Sequence, residues 1–268
     1  MEAARRIFEQ ISLDSVSDAV VAQIERLITA GVLRSGQKLP PERELSELLD
    51  VSRPKVRDAL KVLEDRGLVS VRHGEGTFIA PLTGTALSGP MIELFARQSD
   101  AFFDYLEFRR EVESFAAFAA AQRATATDHA ILREKIAQME AAHLKADPTE
   151  EADLDVTFHA AVVDAAHNVM LVHMMSSIYE LMTKGVFYNR AYLYQRAGAR
   201  DVLLDQHREI AEAVIAGDPD RAAQAAETHI DYTQEAFRIG AAETGRDRIA
   251  RKRKLLAEIG PKPKRHRD

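Results

Sequence analysis

LPPERELSELLDVSRPKVRDALKVLEDRGLVSVRHGEGTF, residues 39–78, decides how this chain reads. Pro40-Pro41 opens a short helix, and a turn falls around Asp50-Val51. Ser52 then stands where an N-cap belongs, ahead of a second helix. Pro54 sits in the first turn of that helix, where a missing N–H costs little. Val56, Leu60 and Leu63 recur at helical spacing and can face a core. Arg53 and Arg57 lie four apart on one face, with Lys55 between them. After Gly67 a strand is expected over 68–72, then a tight turn at His73-Gly74-Glu75-Gly76 and a return strand over 77–79. Helix, turn, helix and β-hairpin in this order form the pattern of a winged helix-turn-helix. The second helix of such a unit puts its N-terminal residues at base edges in the major groove. The basic side chains cluster at that end. Arginine can pair bidentately with guanine, and both Lys and Arg hold phosphates. Lys55 is expected on a phosphate.

Working outward, the chain has 268 residues, room for two domains. It is 46% hydrophobic and 29% charged, the balance of a globular protein. It has no cysteine, which excludes disulfides and thiolate chemistry. No apolar run is long enough to span a membrane, and MEAARRIFEQ lacks the apolar centre of a secretory signal. The expected location is the cytoplasm. Net charge is −6, unusual for a DNA binder. Its distribution resolves this. Residues 1–81 hold 12 Lys/Arg against 13 Asp/Glu, and residues 246–268 hold 10 against 3. The middle therefore carries the acidic excess, and only the reading helix and wing need to be locally positive.

PLTGTALSGP, residues 81–90, breaks all periodicity and reads as a linker. Beyond it the chain turns helical, with helices expected over 90–97, 100–123, 127–146, 149–166, 168–195, 199–216 and 219–244. Breaks at Asp147-Pro148, His167-Asn168 and Gly217-Asp218-Pro219 separate several of them. The expected fold is mainly α: a winged helix-turn-helix over 1–80, the linker, and an all-α bundle over 91–245. A basic tail, 246–268, is expected to be disordered and could add phosphate contacts. Phe102, Phe103, Leu106, Phe115 and Phe118 are expected in the bundle core.

Within the bundle, Asp155 and His159 are i,i+4 and share a helix face. His207 and His229 lie on later helices. Three imidazoles and a carboxylate suit zinc or another divalent transition metal. On spacing alone, ordinary structural histidines are the alternative. Arg109 and Glu113 are also i,i+4 and read equally well as a surface ion pair.

The segment LPPERELSELLDVSRPKVRDALKVLEDRGLV with VRHGEGTF resembles the DNA-binding domain of GntR-type bacterial regulators, in the FadR-like branch. The resemblance covers roughly residues 13–80. It implies DNA contacts by Arg43, Arg53, Arg57 and the wing residue His73, with Gly74 letting the wing approach closely and Ser52 opening the reading helix. DLDVTFHAAVVDAAHN and QHREIAEAVIAGDPDRAAQAAETHI resemble the FCD effector-binding domain over roughly 97–240. That resemblance implies Asp155, His159, His207 and His229 as ligands of a metal, zinc foremost, with nickel or manganese as alternatives. It also implies Arg109 as the holder of an effector carboxylate. His129, His143, His167 and His173 match no ligand position. The expected activity is that of a repressor: a homodimer on a palindromic operator, controlled by a small 2-keto or 2-hydroxy acid such as pyruvate, lactate or glycolate. The rival expectations are a metal-dependent enzyme tethered to DNA and a regulator with a purely structural metal.

Overall fold

The computed structural model describes residues 14–81, 99–183, 193 and 198–259. Two compact units divide the chain: Met1–Ile92 with His167–Leu181, and Glu93–Ala166 with Met182–Asp268. The expected helix over 90–97 and all but the first residue of the expected linker lie outside the described residues.

The first unit opens with α1 (Asp14–Thr29), α2 (Glu42–Leu49) and α3 (Arg53–Asp65), followed by β1 (Val69–Arg72) and β2 (Gly76–Ile79). The two strands pair antiparallel, with Val69 opposite Ile79 and Arg72 opposite Gly76. The hairpin loop is closed by Glu75 N–H donating to the Arg72 carbonyl at 3.0 Å. Gly74 turns it at φ +77° and Gly76 at φ +116°, conformations that side chains resist. The core joins Val20, Val21, Ile24 and Ile28 of α1 to Leu45 of α2, Val56, Leu60 and Leu63 of α3, and Val69 and Ile79 of the hairpin. The spacing of Val56, Leu60 and Leu63 thus does place them inside. Asp50 ends α2 in the left-handed region at φ 51°, ψ 46°, which short Asp tolerates.

Helix α7 (Val169–Thr183), in the stretch that the sequence reading gives to the helical bundle, groups by its contacts with this unit as far as Leu181. His173 Nε2 lies 3.3 Å from the Thr29 carbonyl. A Cβ on Gly31 would stand 2.6 Å from Val172 Cγ1, so only glycine admits that approach. Sequence separation hides such a contact, since no local pattern links residue 31 to residue 172.

The second unit consists of α4 (Ser99–Arg123), α5 (Ala126–His143), α6 (Thr149–Ala165), α8 (Ala199–Ala216) and α9 (Pro219–Ile259). Thr125 and Asp128 form a reciprocal capping box at the start of α5. Asp147 accepts from Thr149 N–H at 3.0 Å before α6. Gly217, at φ +68°, closes α8 in the left-handed region, and Asp218 then accepts from Arg221 N–H at 3.1 Å. Helices α4 and α9 pack along each other, with small residues on both: Ala116, Ala117 and Ala120 on α4, Ala222 and Ala226 on α9.

Phe115, Phe103, Phe118 and the tail depart from expectation. Phe115 is 50% exposed, not core, because the buried side of α4 passes through Arg109, Glu113, Ala116 and Ala120. Phe102 and Leu106 are buried as expected, while Phe103 and Phe118 are half-buried. Residues 246–259 of the expected tail are helical rather than disordered, and the rest lies outside the described residues. Helix α9 is described as far as Ile259, since Ala, Arg, Lys, Leu and Glu there are strong helix formers. Among the described residues, no helix is long and apolar enough to cross a membrane.

Candidate functional site

On the first unit, Arg43, Ser52, Arg53, Arg57, His73 and Gly74 are all exposed, and Lys55 is half-buried. Ser52 stands at the N-cap of α3, and its carbonyl accepts from Lys55 and Val56 N–H. Its hydroxyl does not cap the helix, contrary to the sequence reading. The second helical residue is Pro54, which has no N–H to offer it. Arg57 does not project alone. Its Nε and Nη2 donate to both carboxylate oxygens of Glu42, at 3.1, 3.2 and 2.7 Å. The hydrogen bond from Arg57 holds Glu42 below the usual carboxylate range. Sequence reasoning missed Glu42, although its place fifteen residues before Arg57, at the start of the preceding helix, puts it across the turn. Arg43 lies 3.9 Å from Glu47, a loose surface pair. In the wing, the Arg72 guanidinium lies over the Phe78 ring, 4.3 Å from its centroid.

In the second unit, three helices bring one cluster together. Asp155 and His159 come from α6, His207 from α8 and His229 from α9. All four are buried, and their ligand atoms lie within 4.8 Å of one another. His159 Nε2 is 3.2 Å from His229 Nε2 and 3.3 Å from His207 Nε2. Asp155 Oδ1 is 3.1 Å from His207 Nε2 and 3.7 Å from His159 Nε2. The opposite ring atoms face acceptors. His159 Nδ1 is 2.9 Å from Glu113 Oε2, and His229 Nδ1 is 3.2 Å from Gln206 Oε1. With their protons on Nδ1, the two imidazoles aim lone pairs at each other. Two lone pairs at that distance repel unless a cation lies between them. Metal–nitrogen bonds of about 2.0–2.1 Å in a tetrahedron set the ligand atoms roughly 3.3 Å apart. The donor set and its spacing fit a divalent transition metal.

Electrostatics agree. Burial, with His207, His159 and Arg109 nearby, pushes His229 well below its ordinary value, so it is neutral, the form in which an imidazole can bind a metal. Burial alone would raise the Glu113 carboxyl, but Arg109 and His159 outweigh it and hold it well below the usual carboxylate range. Arg109 donates from Nε to Glu113 Oε1 at 2.6 Å. This pair is buried in the core, with Arg109 only 2% exposed, which overturns the surface-pair alternative. Arg110, the next residue, points away to Glu227 and Asp231 on α9. Of the remaining histidines, His143 is tied to Glu151 at 2.8 Å and Asp201 at 3.1 Å, outside the cluster. Sequence reasoning missed Glu113 and Gln206 as acceptors behind His159 and His229. Their signal was present but weak: Gln206 adjoins His207, and Glu113 is one turn after Arg109.

Comparison with known proteins places both units. Residues 16–79 match the model of the "Bacterial regulatory proteins, gntR family", and residues 104–232 match the FCD domain. The chain is 34% identical to a protein of Escherichia coli strain K12 described as an L-lactate dehydrogenase operon regulatory protein. That alignment spans 227 residues, 83% of this chain and 86% of the relative. It is 35% identical to the Glc operon transcriptional activator of the same strain, over 80% of this chain and 86% of the relative. A solved Streptococcus agalactiae GntR aligns with 82% of this chain and 99% of its own, at 26% identity and a TM-score of 0.49. The family and the two Escherichia coli relatives are transcriptional regulators, not enzymes. The chain belongs to the GntR family, as a DNA-binding transcriptional regulator with an FCD domain.

Proposed function

We propose that this regulator binds a palindromic operator as a homodimer and releases it in response to a small 2-keto or 2-hydroxy acid. The observation that carries the sensing part is the 3.2 Å approach of His159 Nε2 to His229 Nε2, with each Nδ1 already facing an acceptor. Asp155, His159, His207 and His229 would hold the metal, zinc by preference, since imidazole and carboxylate suit it. A bound metal supplies a Lewis acid for effector oxygens. Arg109 supplies the second handle, a guanidinium that pairs with a carboxylate. The names of two relatives, tied to the L-lactate dehydrogenase and Glc operons, support a small acid such as lactate, pyruvate or glycolate.

On DNA, a homodimer sets two copies of α3 on two half-sites, with Arg53 and Arg57 at base edges and Lys55, Ser52 and Arg43 beside the backbone. His73 and Gly74 would carry the wing into the adjacent groove. Repression is the sign proposed, because it needs only occupancy of the operator. The place of work is that of the DNA, the cytoplasm. The acid must favour one DNA-binding state over another, or it shifts nothing.

The test is a thermal-shift series on zinc-loaded and chelated protein with pyruvate, lactate and glycolate, paired with operator titrations. The expected result is an acid that raises the melting temperature only with zinc and weakens operator binding. A chelator-sensitive melting temperature with no response to any acid would leave a purely structural metal. The closed ring of four protein ligands is the feature that favours that second reading.

A further inference from the structure

Glu113 takes no part in the ligand set, yet it touches both halves of the site. Its Oε1 accepts from Arg109 Nε at 2.6 Å, and its Oε2 lies 2.9 Å from Nδ1 of His159. All three side chains are buried. We propose that Glu113 is the positioning residue of the sensing site, orienting the ligand His159 and the effector arginine Arg109 together, and that its charge makes the loaded site selective for a monoanion. This inference rests on the sensing function proposed above.

The positioning half follows from proton placement. A histidine that presents Nε2 to a metal must carry its proton on Nδ1, and a carboxylate accepting that proton fixes both tautomer and ring orientation. The same carboxylate engages Arg109 Nε and so sets how the rest of the guanidinium is presented. Arg109 and Glu113 are one turn apart on α4, while His159 lies on α6. A shift of either helix therefore reaches metal ligand and effector arginine through one side chain.

The charge half follows from what is buried. Among the described residues, the charged side chains in and against the cluster are Arg109, Glu113 and Asp155. Glu151, the other buried acid, is occupied by Arg200 and His143 elsewhere. Arg109 and Glu113 cancel, and Asp155 offsets half of a divalent ion. Of these charges and the ion's, a single positive one is left, and net charge in a buried site is costly. A monoanionic acid brings the site to neutrality, whereas a dianion leaves a buried negative charge. Removing the charge of Glu113 would reverse that preference.

Lactate and tartronate form a suitable pair of probes, because they differ only by methyl against carboxylate on the hydroxy carbon. Full-length wild type, Glu113→Gln and Glu113→Asp are compared in two measurements. The first is zinc affinity by chelator competition. The second is calorimetric binding of each acid to zinc-saturated protein, with the visible bands of the cobalt-substituted form reporting ligand geometry. Glu113→Gln should weaken zinc by about 10–100-fold and shift the cobalt bands. It should also move the lactate-to-tartronate affinity ratio toward tartronate by roughly tenfold or more. Glu113→Asp keeps the charge but withdraws the acceptor, so zinc should weaken while the preference for lactate stays. Zinc affinity within about twofold of wild type in the variants would overturn the positioning role. An unchanged ratio in Glu113→Gln would overturn the charge role. If Glu113→Gln does not fold, wild-type zinc affinity in Glu113→Asp still overturns the positioning role. Failure of wild type to bind either acid would sink the sensing function and the charge role together, while the zinc titration would still decide what Glu113 does for His159.

Discussion

Glu42, at the start of α2, grips the guanidinium of Arg57 on α3 through both carboxylate oxygens, at 2.7 to 3.2 Å. A carboxylate on a DNA-reading face repels phosphates, so its use is to aim Arg57. Glu42→Gln should therefore raise affinity for random DNA and lower the ratio of operator to random affinity. Fluorescence anisotropy with both duplexes at one fixed salt concentration measures this. A rise in both affinities with an unchanged ratio would show that Glu42 does not aim Arg57.

Arg53 stands at the first turn of α3 and is exposed. Arg53→Ala should cost about 1–3 kcal/mol of operator binding for each base it no longer reads, and relax the preference at that base. Arg57→Ala should relax the preference at a different base, the one toward which Glu42 aims it. Competition against operators mutated one base at a time separates the two. Identical sequence profiles for both variants would contradict the assignment.

His159 touches His229, His207, Asp155 and Glu113, so its loss removes the centre of the cluster. His159→Ala should abolish stoichiometric zinc while keeping operator binding, because the DNA-reading residues lie in the other unit. Metal analysis of dialysed protein checks the first part and operator titration the second. Full zinc content in the variant would refute the ligand set.

Acid should destabilise the apo-protein through the same cluster. His229 in the folded chain is held well below 6.5, so it stays neutral where an unfolded chain takes up a proton. The unfolded state then binds more protons, and stability falls as pH drops. The contribution is complete above about pH 6.5 and declines below it. Zinc should deepen this decline, because protons compete for its ligands. Melting temperatures from pH 8 to pH 5, with and without zinc, test both slopes. An equal decline in His229→Gln would remove the cluster as its cause.

The last stretch of α9 exposes Arg246, Arg251, Lys252, Arg253 and Lys254. Truncation after Gly245 should weaken operator binding modestly and reduce its salt dependence, by about one unit of slope for each phosphate these residues neutralise. An identical slope for the truncated protein would leave these residues a solvated helix end.

Much of this was legible in short stretches of sequence. The winged helix-turn-helix follows from local signals: prolines before α2 and within α3, apolar spacing at Val56, Leu60 and Leu63, and glycines at the hairpin. The four candidate ligands were legible through the FCD resemblance, whereas spacing alone showed only that Asp155 and His159 share a helix face. The rest depends on distance in space. Phe115 reads as core by composition yet lies outside, because the same helix turns Arg109 and Glu113 inward. The end of α9 reads as a charged tail, but its helix formers carry the helix on to Ile259.

Sequence alone determined the helix, turn, helix and hairpin order and the reading helix, since these rest on spacing along one helix or hairpin. Tertiary structure decided which partner each charged group meets. Whether Arg109 and Glu113 form a surface pair or a buried bridge to His159 depends on what α6 sets against them. Whether Arg57 is free or held depends on where α2 brings Glu42. Hydrogen bonds and ion pairs act over a few ångströms, and contacts between residues 15 to 144 positions apart have no period for a sequence to display.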